Sequence, residues 1–180
     1  MGNPCQDFFQ ENAEPPEELV PKLVASGRGL EWSELSASEH SPGVVALEEI
    51  LCRQVTHPHF YDEVSGEVTI TLYSDVCSRG MSTNRLSHGT QEDFIQRGRQ
   101  RANENKTFVG LVSFSRREVE DIHAQVDNIA TSIRVFDTAL HEDRSHADVC
   151  QVTGPTGRHA TRQIRTAMFL AFKGRLIKAG

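Results

Sequence analysis

The chain has 180 residues and a mass of 20.1 kDa, the size of one ordinary domain or of one domain with a flexible arm. With 37% hydrophobic and 24% charged residues, 13 Gly and 7 Pro, the composition excludes a collagenous or fully disordered chain, and no apolar run is long enough to span a membrane. The net charge of −6 argues against generic nucleic-acid binding.

That total hides a gradient. Residues 1–50 carry acids from Asp7 to Glu49 against only Lys22 and Arg28, whereas residues 151–180 carry Arg158, Arg162, Arg165, Lys173, Arg175 and Lys178 and no acid. Such ends pair within the chain, pair with another copy, or serve separate partners. Cys5, Cys52, Cys77 and Cys150 form no C-x-x-C, which speaks against a zinc ribbon or a thioredoxin motif. The polar, acidic start is not a secretory signal, and Gln6 stands where an acylation signal after Met1-Gly2 wants Ser or Thr. Reduced thiols in a cytoplasmic protein are the expectation.

In chain order, residues 1–42 read as an acidic, Pro- and Ser-rich arm with a short helix around Pro16–Ala25. Leu19, Leu23, Leu30, Trp32 and Leu35 are available to dock it, but few contacts are expected, so light proteolysis should cut there first. Ser41-Pro42 is a helix start, with Ser as cap and Pro at the first position, leading to a helix to about Glu49 and a short strand over Cys52–Val55. Glu67–Tyr73 alternates apolar and polar residues and predicts a strand with one buried face. Thr90-Gln91-Glu92-Asp93 is a capping box with Asp in place of Glu, opening a polar helix to about Asn103 anchored by Phe94 and Ile95. Thr107–Phe114 predicts a buried strand, and Ser115-Arg116-Arg117-Glu118 a second capping box. Ser132–Phe136 and Ala147–Val152 predict two strands joined by a polar loop. The stretch from about His159 to Lys173 is a basic amphipathic helix with Ile164, Ala167, Met168, Leu170 and Ala171 on its apolar face. The sum is a single mixed α+β domain of about four or five strands over residues 43–180.

Several clusters carry chemistry. His57-Pro58-His59, with Asp62 nearby, offers imidazoles and a carboxylate to a metal, or is simply a solvated loop; no partner with ligand spacing lies near it in sequence. On a strand, His146, Asp148 and Cys150 share one face, as a polar set, a metal set, or a thiolate assisted by histidine; the plainer reading is a wet strand face with Cys150 as filler. Arg53, Ser82 and Thr83 suit a phosphate or a ribose, although salt-bridged arginines and turn serines are common. Arg97, Arg99 and Arg101 have the dense, flexible character of a phosphate contact, and Arg158, Arg162 and Arg165 occupy successive turns of the last helix, either as a nucleic-acid or partner contact or as a solvated face. No G-x-x-x-x-G-K-[ST], G-x-G-x-x-G, H-E-x-x-H or G-x-S-x-G occurs.

Leu51-Cys52-Arg53, His57-Pro58, Met81-Ser82, the strand Gly110–Phe114, and Asp137…Leu140…His146-Ala147 together resemble a pattern in small, uncharacterised bacterial proteins, over slightly more than half the chain. The front half is faintly similar to ADP-ribosyltransferase-type domains. That resemblance implies a basic or His residue on one early strand and a Ser on the next holding NAD; the family's later catalytic Glu or Asp has no clear match here.

The reading is a small bacterial effector-like enzyme acting on a nucleotide or nucleic acid, with His57, His146, Arg53 and Ser82 as its convergent set, no metal, and no cofactor assigned. The alternative is a non-catalytic partner-binding protein that uses the acidic arm and the basic C-terminal helix. The enzyme reading requires His57, His146 and Arg53 to line one cleft with Ser82 at its rim.

Overall fold

The computed structural model describes residues 3–179. In chain order the elements are α1 (Pro4–Glu11), a 3-10 turn (Pro16–Glu18), α2 (Leu19–Ser26), α3 (Gly29–Trp32), β1 (Ile50–His57), β2 (Tyr61–Asp62), β3 (Glu67–Val68), a 3-10 helix (Ile70–Cys77), β4 (Met81–Arg85), a 3-10 turn (Leu86–His88), α4 (Gln91–Gln100), β5 (Thr107–Ser115), α5 (Arg116–Glu120), β6 (Ala124–Val126), β7 (Ile129–Phe136), β8 (His146–Thr153), α6 (Arg158–Phe172) and β9 (Leu176–Lys178). Seven strands form one antiparallel sheet in the order β6-β7-β8-β4-β1-β5-β9, and β2 and β3 form a separate hairpin. The protein is therefore α+β, but four or five strands is too few. The short edge strands β6 and β9 carry no periodic signal. In β4, the buried Thr83, Asn84 and Arg85 replace the apolar alternation that a buried strand usually shows.

Two expected elements differ. Glu67–Tyr73 is not one strand: it pairs only over Glu67–Val68 and then winds into the 3-10 helix, where Leu72, Tyr73, Val76 and Cys77 are buried at helical spacing. Residues 42–49 form no helix. They cross as an irregular strap, and β1 begins at Ile50. Both capping boxes form as read. Thr90 accepts from the Asp93 amide and Ser115 from the Glu118 amide, each with the reciprocal bond.

Strand alternation and register divide the core in two. On one sheet face, Leu51, Val55, Met81, Phe114, Val135 and Val149 pack beneath α6 and the 3-10 helix, meeting Ile164, Met168, Phe172, Leu72 and Tyr73. The opposite face has two separate covers. Residues 4–37 lay Cys5, Val20, Leu23, Trp32 and Ala37 on Phe136, Cys150 and Val152. At the other end, α4 lays Phe94 and Ile95 on Cys52 and Leu111. The N-terminal segment is thus not a loosely held arm; it is one of the lids of the core. Its fit is close: a Cβ added at Gly29 would lie 2.6 Å from the Cβ of Val152, so only glycine lets α3 approach β8.

Buried arginines fasten the strap between this lid and β1. Arg85 donates to both carboxylate oxygens of Glu49 at 2.7 and 2.8 Å, to the Gly43 carbonyl at 2.6 Å and to Asp137 at 3.3 Å. Arg116 bonds Glu120, Glu34 and the Val45 carbonyl. Arg79–Glu17 and Arg117–Glu48 add exposed pairs. The acidic N-terminal residues do pair internally, but with arginines of the middle of the chain. From the basic C-terminal segment, Arg175 bonds Glu118, again a residue of the middle of the chain.

This packing has three measurable consequences. Leu23→Ala should cost about 2–5 kcal/mol, because the side chain is fully buried under the sheet. Proteolysis of the parent should spare residues 4–40 until global unfolding; early cleavage there with the body intact would restore the loose-arm picture. The third concerns pH. Burial pushes the Asp137 carboxyl up to about 6, against the opposing pull of Arg85 and a Ser36 hydrogen bond. Between an ordinary Asp value of about 3.9 and that level, the folded state holds a proton that the unfolded chain has lost. The stability linked to Asp137 is therefore complete below the lower value and is lost as pH rises through about 6. Relative to Asp137→Asn, the parent should lose stability across that window in urea titrations. A difference that is flat with pH would contradict the assignment.

Candidate functional site

The two covers on the second sheet face do not meet. Between them the groove face of β4 and of the first half of β8 lies under neither cover, and their register decides which side chains share it. Ser82 pairs with Asp148 and Asn84 with His146. Directly opposed residues on one face hold their Cβ atoms about 4.5–5.5 Å apart, so these four polar side chains form a square on the floor of a groove. The alternation of β8 points Ala147 and Val149 into the other core, as the sequence indicated for His146 and Asp148.

The groove has two chambers. The larger, about 460 Å³, lies beside the N-terminal lid and is walled by Phe9, Pro16, Leu19, Ala37 and Leu140, with His40, His141, Arg79, Thr138 and Asp148 as its polar groups. The smaller, about 220 Å³, lies toward α4 and is lined by Arg53, Gln54, Ser82, Asn84, Arg101 and Asp143. His146 and Leu140 line both and mark the junction.

At that junction His146 has a defined orientation. Its Nδ1 lies 3.1 Å from the Thr138 carbonyl, which only accepts, so Nδ1 carries the hydrogen. The same Nδ1 lies 3.0 Å from Thr138 Oγ1, and that hydroxyl donates to Asp148 Oδ2 at 2.8 Å. This leaves the Nε2 lone pair as the working atom, with Asp148 Oδ1 3.9 Å away. A hydroxyl brought against Nε2 can pass it a proton.

Arg53 reaches the cleft through a gap in the sheet. The β1–β4 ladder runs only over Leu51–Arg85 and Cys52–Asn84. Beyond it the strands part, and the Arg53 guanidinium closes the gap, donating to the Ser82 carbonyl at 2.7 Å and to Asp75 at 3.3 Å, over the Phe60 ring. Burial pulls its pKa down, while Asp75 and Asp148 pull it back up. Asp143 sits in the small chamber as a satisfied anion. Burial alone would raise it, but Ser145 and Arg97 outweigh that and hold it below the usual carboxylate range.

The structure therefore brings His146, Arg53 and Ser82 to one cleft and leaves His57 out. His57 stands at the far end of β1, past a bulge at Val55/Thr56, where the strand has lost β4 as a neighbour. Its Nδ1 lies 3.7 Å from Glu63, by the β2–β3 hairpin. Among the described residues no three His, Cys, Asp or Glu side chains are placed to hold a metal ion, His57, His59 and Asp62 included. The arginines divide. Arg97 pairs with Asp143, Arg99 lies 4.0 Å from Glu92, and Arg101 lines the small chamber. Arg158, Arg162 and Arg165 ride on α6, across the sheet from the cleft, and Arg165 bonds Ser74. Asn84, Gln54, Thr138, His40 and His141 were not singled out by the sequence. Asn84 had a signal available, two residues from Ser82 on the same strand, whereas Thr138, His40 and His141 arrive from loops.

Cys150 is not a nucleophile in this fold. It is fully buried under the N-terminal lid, and burial first, then the nearby Asp148, pushes its thiol well up. Burial likewise pushes Cys5, Cys52 and Cys77 up to about 12. All four cysteines are free and buried, so a thiol reagent such as an aromatic disulfide should modify them no faster than the protein unfolds. Rapid labelling of one thiol in the native state would show this packing to be wrong. Comparison with known protein families, with curated proteins and with solved structures finds no match to this chain.

Proposed function

We propose that the groove is the active site of a small enzyme acting on a nucleotide or a nucleic-acid end, with His146 as its proton-transfer group. The observation that carries this reading is the Asp148–Thr138–His146 chain at the junction of the two chambers. A structural histidine needs no free Nε2 at a ligand-sized opening. A general base needs that, together with a fixed ring. The larger chamber, at about 460 Å³, falls within the range of about 300–1,000 Å³ usual for small ligands. Its apolar wall of Phe9, Leu19 and Leu140, edged by the His40–His141 pair at 5.2 Å, suits a flat heteroaromatic ring such as a nucleobase. Ser82, exposed on the floor, offers a hydroxyl to the sugar or its ester.

The alternative, a non-catalytic partner-binding protein, loses the acidic arm as a docking element, because residues 4–37 are committed to the core. It keeps the outer side of α6, where Arg158 and Arg162 have no acidic partner among the described residues and Leu170 is 63% exposed. The two readings separate cleanly, since their residues lie on opposite faces of the sheet.

Incubating the full chain with nucleoside mono-, di- and triphosphates, a dinucleotide and a short oligonucleotide, with turnover followed by chromatography, tests the enzyme reading. His146→Ala should lower turnover by about 10²–10⁴-fold, the usual contribution of one acid–base group. Its melting temperature should stay near that of the parent, because the ring is only partly buried. Absence of turnover and of any thermal shift across the whole panel would overturn it.

A further inference from the structure

From the donors that line the smaller chamber, we infer that it is an oxyanion seat that takes a phosphoryl group. The inference rests on the reading of the groove as a ligand site and adds to it the charge of the ligand and where that charge lies.

The chamber holds more hydrogen-bond donors than the protein itself uses. Arg53 Nε and Gln54 Nε2 are buried and have no partner, although both residues line the chamber. A buried donor without an acceptor is costly, and native folds keep few of them. Gln54 alternates with Cys52 on β1 and so stands on the groove side of the sheet, where an acceptor supplied from outside the chain can meet its amide nitrogen; Arg53 alternates with Leu51 and Val55 and lines the chamber only through the gap between β1 and β4. Arg101, also in the lining, has no acidic or hydrogen-bonding side-chain partner among the described residues. The exposed Ser82 adds a hydroxyl on the floor.

The charge balance agrees. Arg53 is matched by Asp75 and Arg97 by Asp143. The Asp143 carboxylate is occupied by Arg97, Asn84 and the Ser145 hydroxyl and amide, so it offers nothing further to a cation. Asp148 faces the other chamber, where Thr138 donates to it. Arg101 is the one cation of this lining with no acidic side-chain partner among the described residues, and the Gln54 amide and the Ser82 hydroxyl add neutral donors beside it. A guanidinium fork pairs with carboxylate and phosphate alike, but the three oxygens of a phosphoryl group can also meet the neighbouring donors that a single carboxylate would leave unmet. Arg101 caps the C-terminal end of α4 and stands in solvent at the mouth, so a ligand meets it first; the buried donors of Arg53 and Gln54 lie deeper. A ligand seated with its phosphoryl group here and its ring in the larger chamber passes His146 and Leu140, the two residues common to both linings.

Titrating inorganic phosphate into the full chain, by calorimetry and by phosphorus NMR line width, with acetate at matched ionic strength as the control, tests the seat. The expected result is saturable phosphate binding that acetate does not reproduce. Arg101→Gln should weaken it by about tenfold or more, the usual effect of losing a charge-assisted bond. Gln54→Leu should weaken it by a smaller factor. Arg101 is exposed, so its variant should fold as the parent does, and unchanged melting temperatures verify this. Equal phosphate affinity in the parent and in Arg101→Gln, equal binding of acetate, or no phosphate binding at all, each overturns the oxyanion seat. Normal phosphate binding with no turnover of any nucleotide overturns the enzyme reading and leaves the seat standing.

Discussion

The buried Arg85 is the constraint on which the rest of the architecture depends. It sits at the end of the central strand β4 and is gripped by both oxygens of Glu49, by the Gly43 carbonyl and by Asp137. A guanidinium this deep is tolerable only because its donors are met by carboxylates and a carbonyl in fork geometry; removing one partner from such a pair commonly costs about 3–5 kcal/mol. Its partners come from the strap before β1 and from the loop after β7. One side chain thereby fixes where the strap runs, where β1 starts, and where the loop that carries Thr138 leaves the sheet. Ser36 and Ser41 add hydroxyl bonds to the same Asp137, drawing the end of the N-terminal lid into the network. Burial holds Glu49 up, but the bonds from Arg85 and Ser87 outweigh it and keep its carboxyl below the ordinary range, so the bidentate pair remains ionised.

The groove is a consequence of that arrangement. The first face of the sheet is closed by one long helix and the 3-10 helix. The second is closed from its two ends, by the N-terminal lid over β7 and β8 and by α4 over β1 and β5. Two small covers at the ends of so wide a sheet leave the groove face of β4 and of the start of β8 under neither of them. There the chain places polar residues: Ser82 and Asn84 on one strand, His146 and Asp148 on the other. An open apolar stripe would have invited aggregation. A polar stripe, walled on one side by Phe9 and Leu19 and on the other by arginines, has the asymmetry of a binding cleft.

Within the cleft, rigidity and reactivity are divided between different groups. Thr138 acts through both its carbonyl and its hydroxyl, and so fixes the tautomer of His146 and holds Asp148 at once. Arg53 serves the scaffold, closing the gap where β1 and β4 part, and lines the small chamber. The cysteines belong wholly to packing. Cys5 and Cys150 fill the contact between lid and sheet, and Cys52 that beneath α4.

The sequence by itself determined the local elements whose signals lie within a few residues. The capping boxes at Thr90 and Ser115 form as written, because each needs only a hydroxyl and a carboxylate three residues apart. The amphipathic α6 and the strands around Thr107, Ser132 and Ala147 follow from apolar spacing, and strand alternation was enough to place His146 and Asp148 on one face. The pairing of chain segments was decided only by the tertiary structure. The composition of residues 1–42 is that of an arm, yet Cys5, Val20, Leu23 and Trp32 are core, because a sheet face needed covering and no local rule records that need. Arg53, Ser82 and His146 meet through the register of β4 with β8 and the short β1–β4 ladder, whereas His57, four residues from Arg53, is carried away by the bulge and the parting of the strands. Register and strand order arise from burial summed over the whole sheet, so distant side chains share a site for reasons that no short stretch of sequence contains.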